Sequence, residues 1–393
     1  MRMITLCLAL MAAVGMAAAE RQIKAGATVA VNGVDKVKNY SAVKLFYTQG
    51  PNATVRVVEK GAAASVVTVD NGTLTITYPE AEKTINDDGT TTVYNVGRNN
   101  QVETEVYLTL PRLAEVDNTC SLKMKAAAMG VKGASLRLTN SGAMDVAVDA
   151  LDCAGIELLN FGSMELAADR MGATDKLKVS NNGSMRLNVS GRLYGAAVYL
   201  SNSGSLKMKT SMVKADEMNF INFGAVPALE MAVECSSYKH SNSGSERSGS
   251  TIKVTAPKAY ISNSGVLSDN FDMSAKRADR IDVVNFGIMN SRVKFNGDKA
   301  KISTNGTGTI TASVKCSDLT LSSTGTGTIK AEGSTGNLWM SGTNSKGFDV
   351  RQLTTNGKAK ATFFDDAGGN SFGNGNLNRL KERNEGSVNQ YNP

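Results

Sequence analysis

The sequence predicts an all-β fold, a parallel β-helix (solenoid) of about 20-residue coils with an N-terminal capping β region. Three observations carry this. First, a triplet recurs: Asn140-Ser141-Gly142, Asn160-Phe161-Gly162, Asn181-Asn182-Gly183, Asn202-Ser203-Gly204, Asn222-Phe223-Gly224, Asn242-Ser243-Gly244, Asn263-Ser264-Gly265 and Asn285-Phe286-Gly287, with glycines 20, 21, 21, 20, 20, 21 and 22 residues apart. Second, apolar residues alternate on both sides: Leu136 and Leu138 before the first Asn, Met144 and Val146 after its Gly, and the same frame in most later copies. Period two on both flanks means strand, turn, strand with one face buried. Third, hairpins also use Asn-Gly, yet they would not repeat identical flanks every 20 residues, so one coil per repeat fits.

Stacking strands at roughly 4.8 Å per coil places each residue over its counterpart, and about eleven or twelve coils would make a rod of about 55 Å. Each turn glycine is expected at positive φ, which Asn also tolerates. Asn140, Asn160, Asn181, Asn202, Asn222, Asn242, Asn263 and Asn285 are expected to form an amide ladder, with Asn118 as an earlier member. Gly308 and Gly327 read as fainter continuations. The column Met144, Met164, Met185, Leu206, Val226, Leu267 and Met289 reads as core, not as a metal or cofactor box. No metal and no cofactor are expected, since Cys-x-x-Cys and clustered His are absent.

In chain order, residues 1–19 read as a signal peptide: Arg2, an apolar run from Ile4 to Val14, then Ala17-Ala18-Ala19. The mature chain is therefore expected in the periplasm or at the cell surface. No later apolar run reaches the length of a transmembrane helix. Residues 20–110 are expected to be strands that cap and start the solenoid, with a turn at Asp70-Asn71-Gly72 and a polar excursion over 80–101. Residues 111–350 form the repeat region, and 351–393 a C-terminal cap and loosely held tail, in which Thr362-Phe363-Phe364 reads as a capping strand. Cys120, Cys153, Cys235 and Cys316 are expected to be free thiols, because Cys153 and Cys235 share a column about 19 Å apart. The net charge of +7 is scattered and has no basic run, which argues against nucleic acid as partner.

Tyr40-Ser41-Ala42-Val43-Lys44-Leu45, the strand Asn71-Gly72-Thr73-Leu74-Thr75-Ile76, and Val106-Tyr107-Leu108-Thr109-Leu110-Pro111-Arg112-Leu113 lead in that order into short Gly-centred repeats. This succession, over roughly residues 27–345, resembles the bacterial family described as putative auto-transporter adhesin, head GIN domain. The resemblance implies a right-handed parallel β-helix in the cell envelope, and it supplies no catalytic residues. The family's Ser-Gly-Ser-Gly turn survives best at Asn305-Gly306-Thr307-Gly308-Thr309 and Thr324-Gly325-Thr326-Gly327-Thr328, and Cys120 stands where Gly is expected.

The function expected is non-enzymatic: binding, adhesin-like or structural. The partner would be an envelope protein or a glycan, and the oligomeric state is unspecified. The alternative is a carbohydrate-active β-helix enzyme, a polysaccharide lyase or hydrolase, which would need paired carboxylates on adjacent coils. The outward column Asp145, Glu165, Arg186, Lys207 alternates to mixed sign and reads as surface ion pairs. Candidate binding residues are Phe161, Phe223 and Phe286, which replace Ser at every third turn and could form an apolar stripe or pack inside. One coil breaks the apolar frame. Glu246 and the only histidine, His240, fall on inward positions near Tyr238 and Arg247. Burying them unpaired would be costly, so residues 244–251 are expected to loop out and let both reach water.

Overall fold

The computed structural model describes residues 21–59, 65–78, 82–85, 91–94, 104–342, 347–363, 371–372 and 380–382. The expected signal peptide, most of the 80–101 excursion and most of the tail lie outside the described residues. Among the described residues there is no α-helix. The chain divides into two compact units, one of residues 1–131 with 136–149, the other of 132–135 with 150–393.

The first unit mixes two pairing modes. Lys36–Asn39 lies parallel to both Thr73–Thr77 and Glu115–Asn118, and Ala42–Gln49 lies parallel to both Thr104–Leu110 and Ser121–Met129. Thr54–Val58 instead runs antiparallel to Thr28–Ala30 and Thr104–Leu110. Val66–Asp70 and Thr73–Thr77 form a hairpin whose two turn residues, Asn71 and Gly72, have φ of 44° and 77°. Positive φ at both positions matches the twist of the flanking strands, which is why Asn-Gly closes it. Asn39 Nδ2 donates to Asn118 Oδ1 at 2.7 Å, and Asn118 Nδ2 to Asn140 Oδ1 at 2.8 Å. Asn39 thus belongs to the same frame as the repeats.

The second unit is a parallel β-solenoid. Ser163–Asn181 pairs with Ser184–Asn202, which pairs with Ser205–Asn222, each 20 to 22 residues on, with local register shifts near the corners. Later coils pair the same way, through Ser237–Asn242, Lys258–Asn263, Asn270–Asn285, Ser291–Thr304, Thr309–Ser323 and Thr328–Gly342. Phe348–Thr355 and Ala359–Phe363 still pair in parallel with Thr328–Gly342. The inward column Met164, Met185, Leu206, Val226, Leu267 and Met289 is buried, as expected for core; Glu246 holds the place between Val226 and Leu267.

The amide ladder runs through this unit. Asn160, Asn181, Asn202, Asn222, Asn242 and Asn263 each donate from Nδ2 to the next Asn Oδ1 at 2.7–2.8 Å, and Asn285 donates to Thr304 Oγ1 at 3.0 Å. All are essentially inaccessible to solvent. The same amides reach a carbonyl of their own turn, as in Asn222 Nδ2 to Gly224 O at 3.1 Å. Each side chain therefore ties its own turn to the next coil.

Two expectations about the turns need correction. None of the turn glycines from Gly142 to Gly287 is among those with positive φ. They are glycine because the coils stack too closely for a side chain: a Cβ on Gly204 would overlap the carbonyl oxygen of Gly183, and one on Gly244 that of Gly224. The continuation after Gly287 is Gly306 and Gly325, not Gly308 and Gly327. Asn305 N donates to Asn285 O, and Thr304 pairs with Ser323, so the turn lies two residues earlier. Among the described residues Cys120, Cys153, Cys235 and Cys316 form no disulfide; Cys153 and Cys235 are buried, Cys120 and Cys316 half-buried.

Candidate functional site

Three features of the second unit depart from the apolar-in, polar-out pattern. The first is the row of turn phenylalanines. Phe161, Phe223 and Phe286 are 55%, 62% and 59% exposed, which excludes packing inside. The middle residue of each triplet points away from the core, because Asn points in and Gly is pressed against the preceding coil. The three rings do not stack on one another: two coils separate each from the next, or about 14 Å. That exceeds aromatic contact range. The expected stripe is a series of separate aromatic platforms.

The second feature is inside. His240 and Glu246 are fully buried, which overturns the expectation that they reach water. Residues 247–250 do leave the strand, with Gly249 at φ 65°, and Arg247 is exposed. Glu246 nevertheless stays on the inward frame, between Val226 and Leu267 in the stacked coils. His240 Nε2 shares a hydrogen bond with Glu246 Oε2 at 2.7 Å, and Nδ1 shares one with the Tyr238 hydroxyl at 3.0 Å. The imidazole stacks on Phe220, 4.8 Å between centroids, and meets Phe271 edge-on at 5.0 Å.

A second carboxylic acid, Asp269, joins them from the next coil. It is fully buried and accepts a hydrogen bond from Ser248 Oγ. Burial pushes its carboxyl above the usual range; the Ser248 bond opposes this and the Glu246 charge adds to it. Burial, then Glu246, raises the Tyr238 hydroxyl well above its ordinary value. Among the described residues Glu246 Oε1 and Asp269 Oδ2 have no hydrogen-bond partner. The period-two frame could have found Asp269, because it lies two residues past the inward Leu267. Tyr238, His240, Glu246 and Asp269 thus form one polar cluster within the core, and Arg247 is not part of it. Among the described residues no group of three or more His, Cys, Asp or Glu is arranged to hold a metal.

The third feature is a cleft of about 440 Å³ on the outer face, walled by Asn270, Asp272, Asn290, Arg292 and Lys294. Asn270 Oδ1 accepts from Arg292 N at 2.8 Å, and Asn290 Oδ1 from Thr309 N at 3.0 Å. With both oxygens held, both amide NH₂ groups are left as donors. Sequence reasoning missed this cleft, since polar outward residues have no signature of their own. In the outward charge column, Arg186 pairs with Glu165 at 3.3 Å and both are exposed, so the pair contributes little.

A parallel β-solenoid with a buried asparagine ladder and exposed turn aromatics defines a class of scaffold that displays side chains along its coils. Within that class, the chain belongs to the family described as putative auto-transporter adhesin, head GIN domain, whose model matches residues 33–256 and 251–363. No curated protein matches the chain. Solved structures similar to it include three described as putative adhesins. One is from Bacteroides fragilis NCTC 9343, 14% identical, covering 80% of this chain and 97% of that one, TM-score 0.22. Another is from Parabacteroides distasonis ATCC 8503, 14% identical, covering 88% and 96%, TM-score 0.23. The third is from Parabacteroides merdae ATCC 43184, 11% identical, covering 88% and 95%, TM-score 0.20. Among the described residues no helix is long and apolar enough to cross a membrane.

Proposed function

We propose that this chain is an exported, non-enzymatic, adhesin-like protein of the bacterial envelope that holds a glycan or envelope protein through its turn phenylalanines. The observation that carries this is the exposure of Phe161, Phe223 and Phe286, the three most exposed large hydrophobic side chains among the described residues. Exposed aromatics on a rigid backbone supply contact area at small entropic cost. Membership of an adhesin family supports the reading. The buried His240–Glu246 pair speaks against the enzyme alternative, since neither side chain presents an atom to a substrate outside the coil. The test is binding of the purified chain to an array of glycans and envelope components, with eluted glycans examined for cleavage. Phe161→Ser, Phe223→Ser and Phe286→Ser together should abolish retention while leaving the strand signal in circular dichroism intact. Cleaved product that disappears with Glu246→Gln would instead identify an enzyme.

A further inference from the structure

The three phenylalanine coils are not equivalent, and their outward rows show why. After Phe161 come Ser163 and Glu165, the latter engaged by Arg186. After Phe223 come Ala225 and Pro227, which offer no hydrogen-bonding side chain. After Phe286 the exposed row reads Ile288, Asn290, Arg292, Lys294: aromatic, aliphatic, amide, guanidinium and ammonium in succession along one coil. Its polar half is one wall of the 440 Å³ cleft. From Phe286 to Lys294 the row spans at most about 26 Å at strand rise.

The cleft is rich in donors. Its two asparagine NH₂ groups are aimed by the backbone bonds that hold their oxygens, so they cannot flip to present acceptors. Among the described residues neither Arg292 nor Lys294 has a carboxylate within ion-pair distance. The one carboxylate in the wall, Asp272, is already engaged. Although burial works against its charge, it accepts from Ser274 N at 3.0 Å and from Ser274 Oγ, and with Lys294 and Lys253 nearby it is held below the usual range. Lys294 also borders a second cleft of about 600 Å³, toward Lys315 and Gln352, so the surface continues along the coil axis.

We infer that this row is a binding site for a glycan bearing carboxylate groups, an acidic sugar chain whose ring faces rest on Phe286 and Ile288 and whose carboxylate meets Arg292 and Lys294. The site rests on the adhesive reading above and names the ligand class for one of its three aromatic platforms. Sugar rings offer the apolar C–H face that an exposed aromatic lacks a partner for. A carboxylate is the planar acceptor that a guanidinium holds with two parallel bonds.

The test is affinity electrophoresis of the purified chain through gels containing polygalacturonate, or the same polymer with its carboxylates methyl-esterified. The free acid should retard the chain, and esterification should weaken binding by roughly tenfold or more, the worth of one charge-assisted hydrogen bond. Arg292→Gln with Lys294→Gln should weaken binding to the free acid by at least as much and flatten its salt dependence. Phe286→Ser should weaken it too, whereas Phe161→Ser should not. Equal retardation by ester and acid, no retardation by either, or no effect of the paired substitutions overturns the site. Array binding that needs Phe161 and Phe223, with polygalacturonate unbound, would leave the adhesive reading standing without this cleft. Polygalacturonate binding that needs Arg292, with array binding indifferent to all three phenylalanines, would do the reverse.

Discussion

Replacing Asn222 by Asp changes almost no volume and removes two donors from the middle of the ladder. Asn222 Nδ2 donates to Gly224 O at 3.1 Å and to Asn242 Oδ1 at 2.8 Å, while Oδ1 accepts from Asn202 Nδ2 at 2.8 Å and Gly224 N at 3.1 Å. The neutral acid keeps the two acceptor bonds and, through its single O–H, one of the two donor bonds, so it forfeits about 1 kcal/mol. It also places a carboxyl against two acceptor oxygens at a position with no solvent access. Holding that carboxyl neutral at pH 7, about three pH units above its ordinary value, costs about 4 kcal/mol more. Its folded pKa is raised, so the added penalty is absent below the ordinary carboxylate range and grows as pH rises. Asn222→Ala forfeits all four bonds, about 4 kcal/mol, with no pH dependence. The assay is amide hydrogen exchange at Ser203, Phe223 and Ser243, whose N–H groups donate to the coil before them. A local readout suits a solenoid, in which coils need not unfold as one. Asn222→Asp should cut protection by about three to four decades at pH 7 and by about one near pH 4, as 1.4 kcal/mol is tenfold. Unchanged protection at pH 7, or a loss equal at both pH values, would refute the account of the ladder as a buried donor chain.

The interior cluster makes two more predictions. His240→Leu leaves Glu246 buried without its partner and should destabilise the unit by about 3–5 kcal/mol, whereas His240→Leu with Glu246→Leu should lie near or above wild type in chemical denaturation. Asp269 has its carboxyl raised chiefly by burial, so its contribution is fully present below the ordinary carboxylate range and is lost as pH rises through the raised value. A pH series of denaturation midpoints should therefore fall with rising pH in the wild type and flatten in Asp269→Asn. At the turns, Gly204→Ala should cost about 1–3 kcal/mol through overlap with Gly183 O, while Ser203→Ala next to it should stay within about 0.5 kcal/mol in the same assay.

Much of this architecture was legible because a repeat states the same rule many times. The coil period, the core column from Met164 to Met289 and the Asn ladder all followed from residues recurring in one frame. What escaped lay where the frame bends. Asn39 carries the ladder's geometry with Ser41 in place of Gly, so the triplet did not announce it. Asp269 sits past a corner, where alternation was not carried through. For Glu246 and His240, the cost of burial was weighed for each alone, yet the two residues meet each other at 2.7 Å. The glycines were assigned by type and explained by the wrong cause, because a chain read singly does not show how near its neighbouring coil lies. The donor-rich cleft depends on amides oriented by backbone groups one coil away, an arrangement no linear reading contains.

The exclusion of Cβ atoms from the turn glycines also divides each triplet into two kinds of position. Asn is committed to the interior and Gly to the contact between coils. The residue between them faces solvent and is structurally unconstrained, as Ser203, Phe223 and Ser243 show by occupying successive turns. The second unit is in effect a ruler, with one open slot at each division of about 4.8 Å. Lineages can rewrite those slots one at a time, altering what the surface grips while the scaffold beneath keeps its stability. A designer could use the same slots as a linear array for side chains or labels at known pitch.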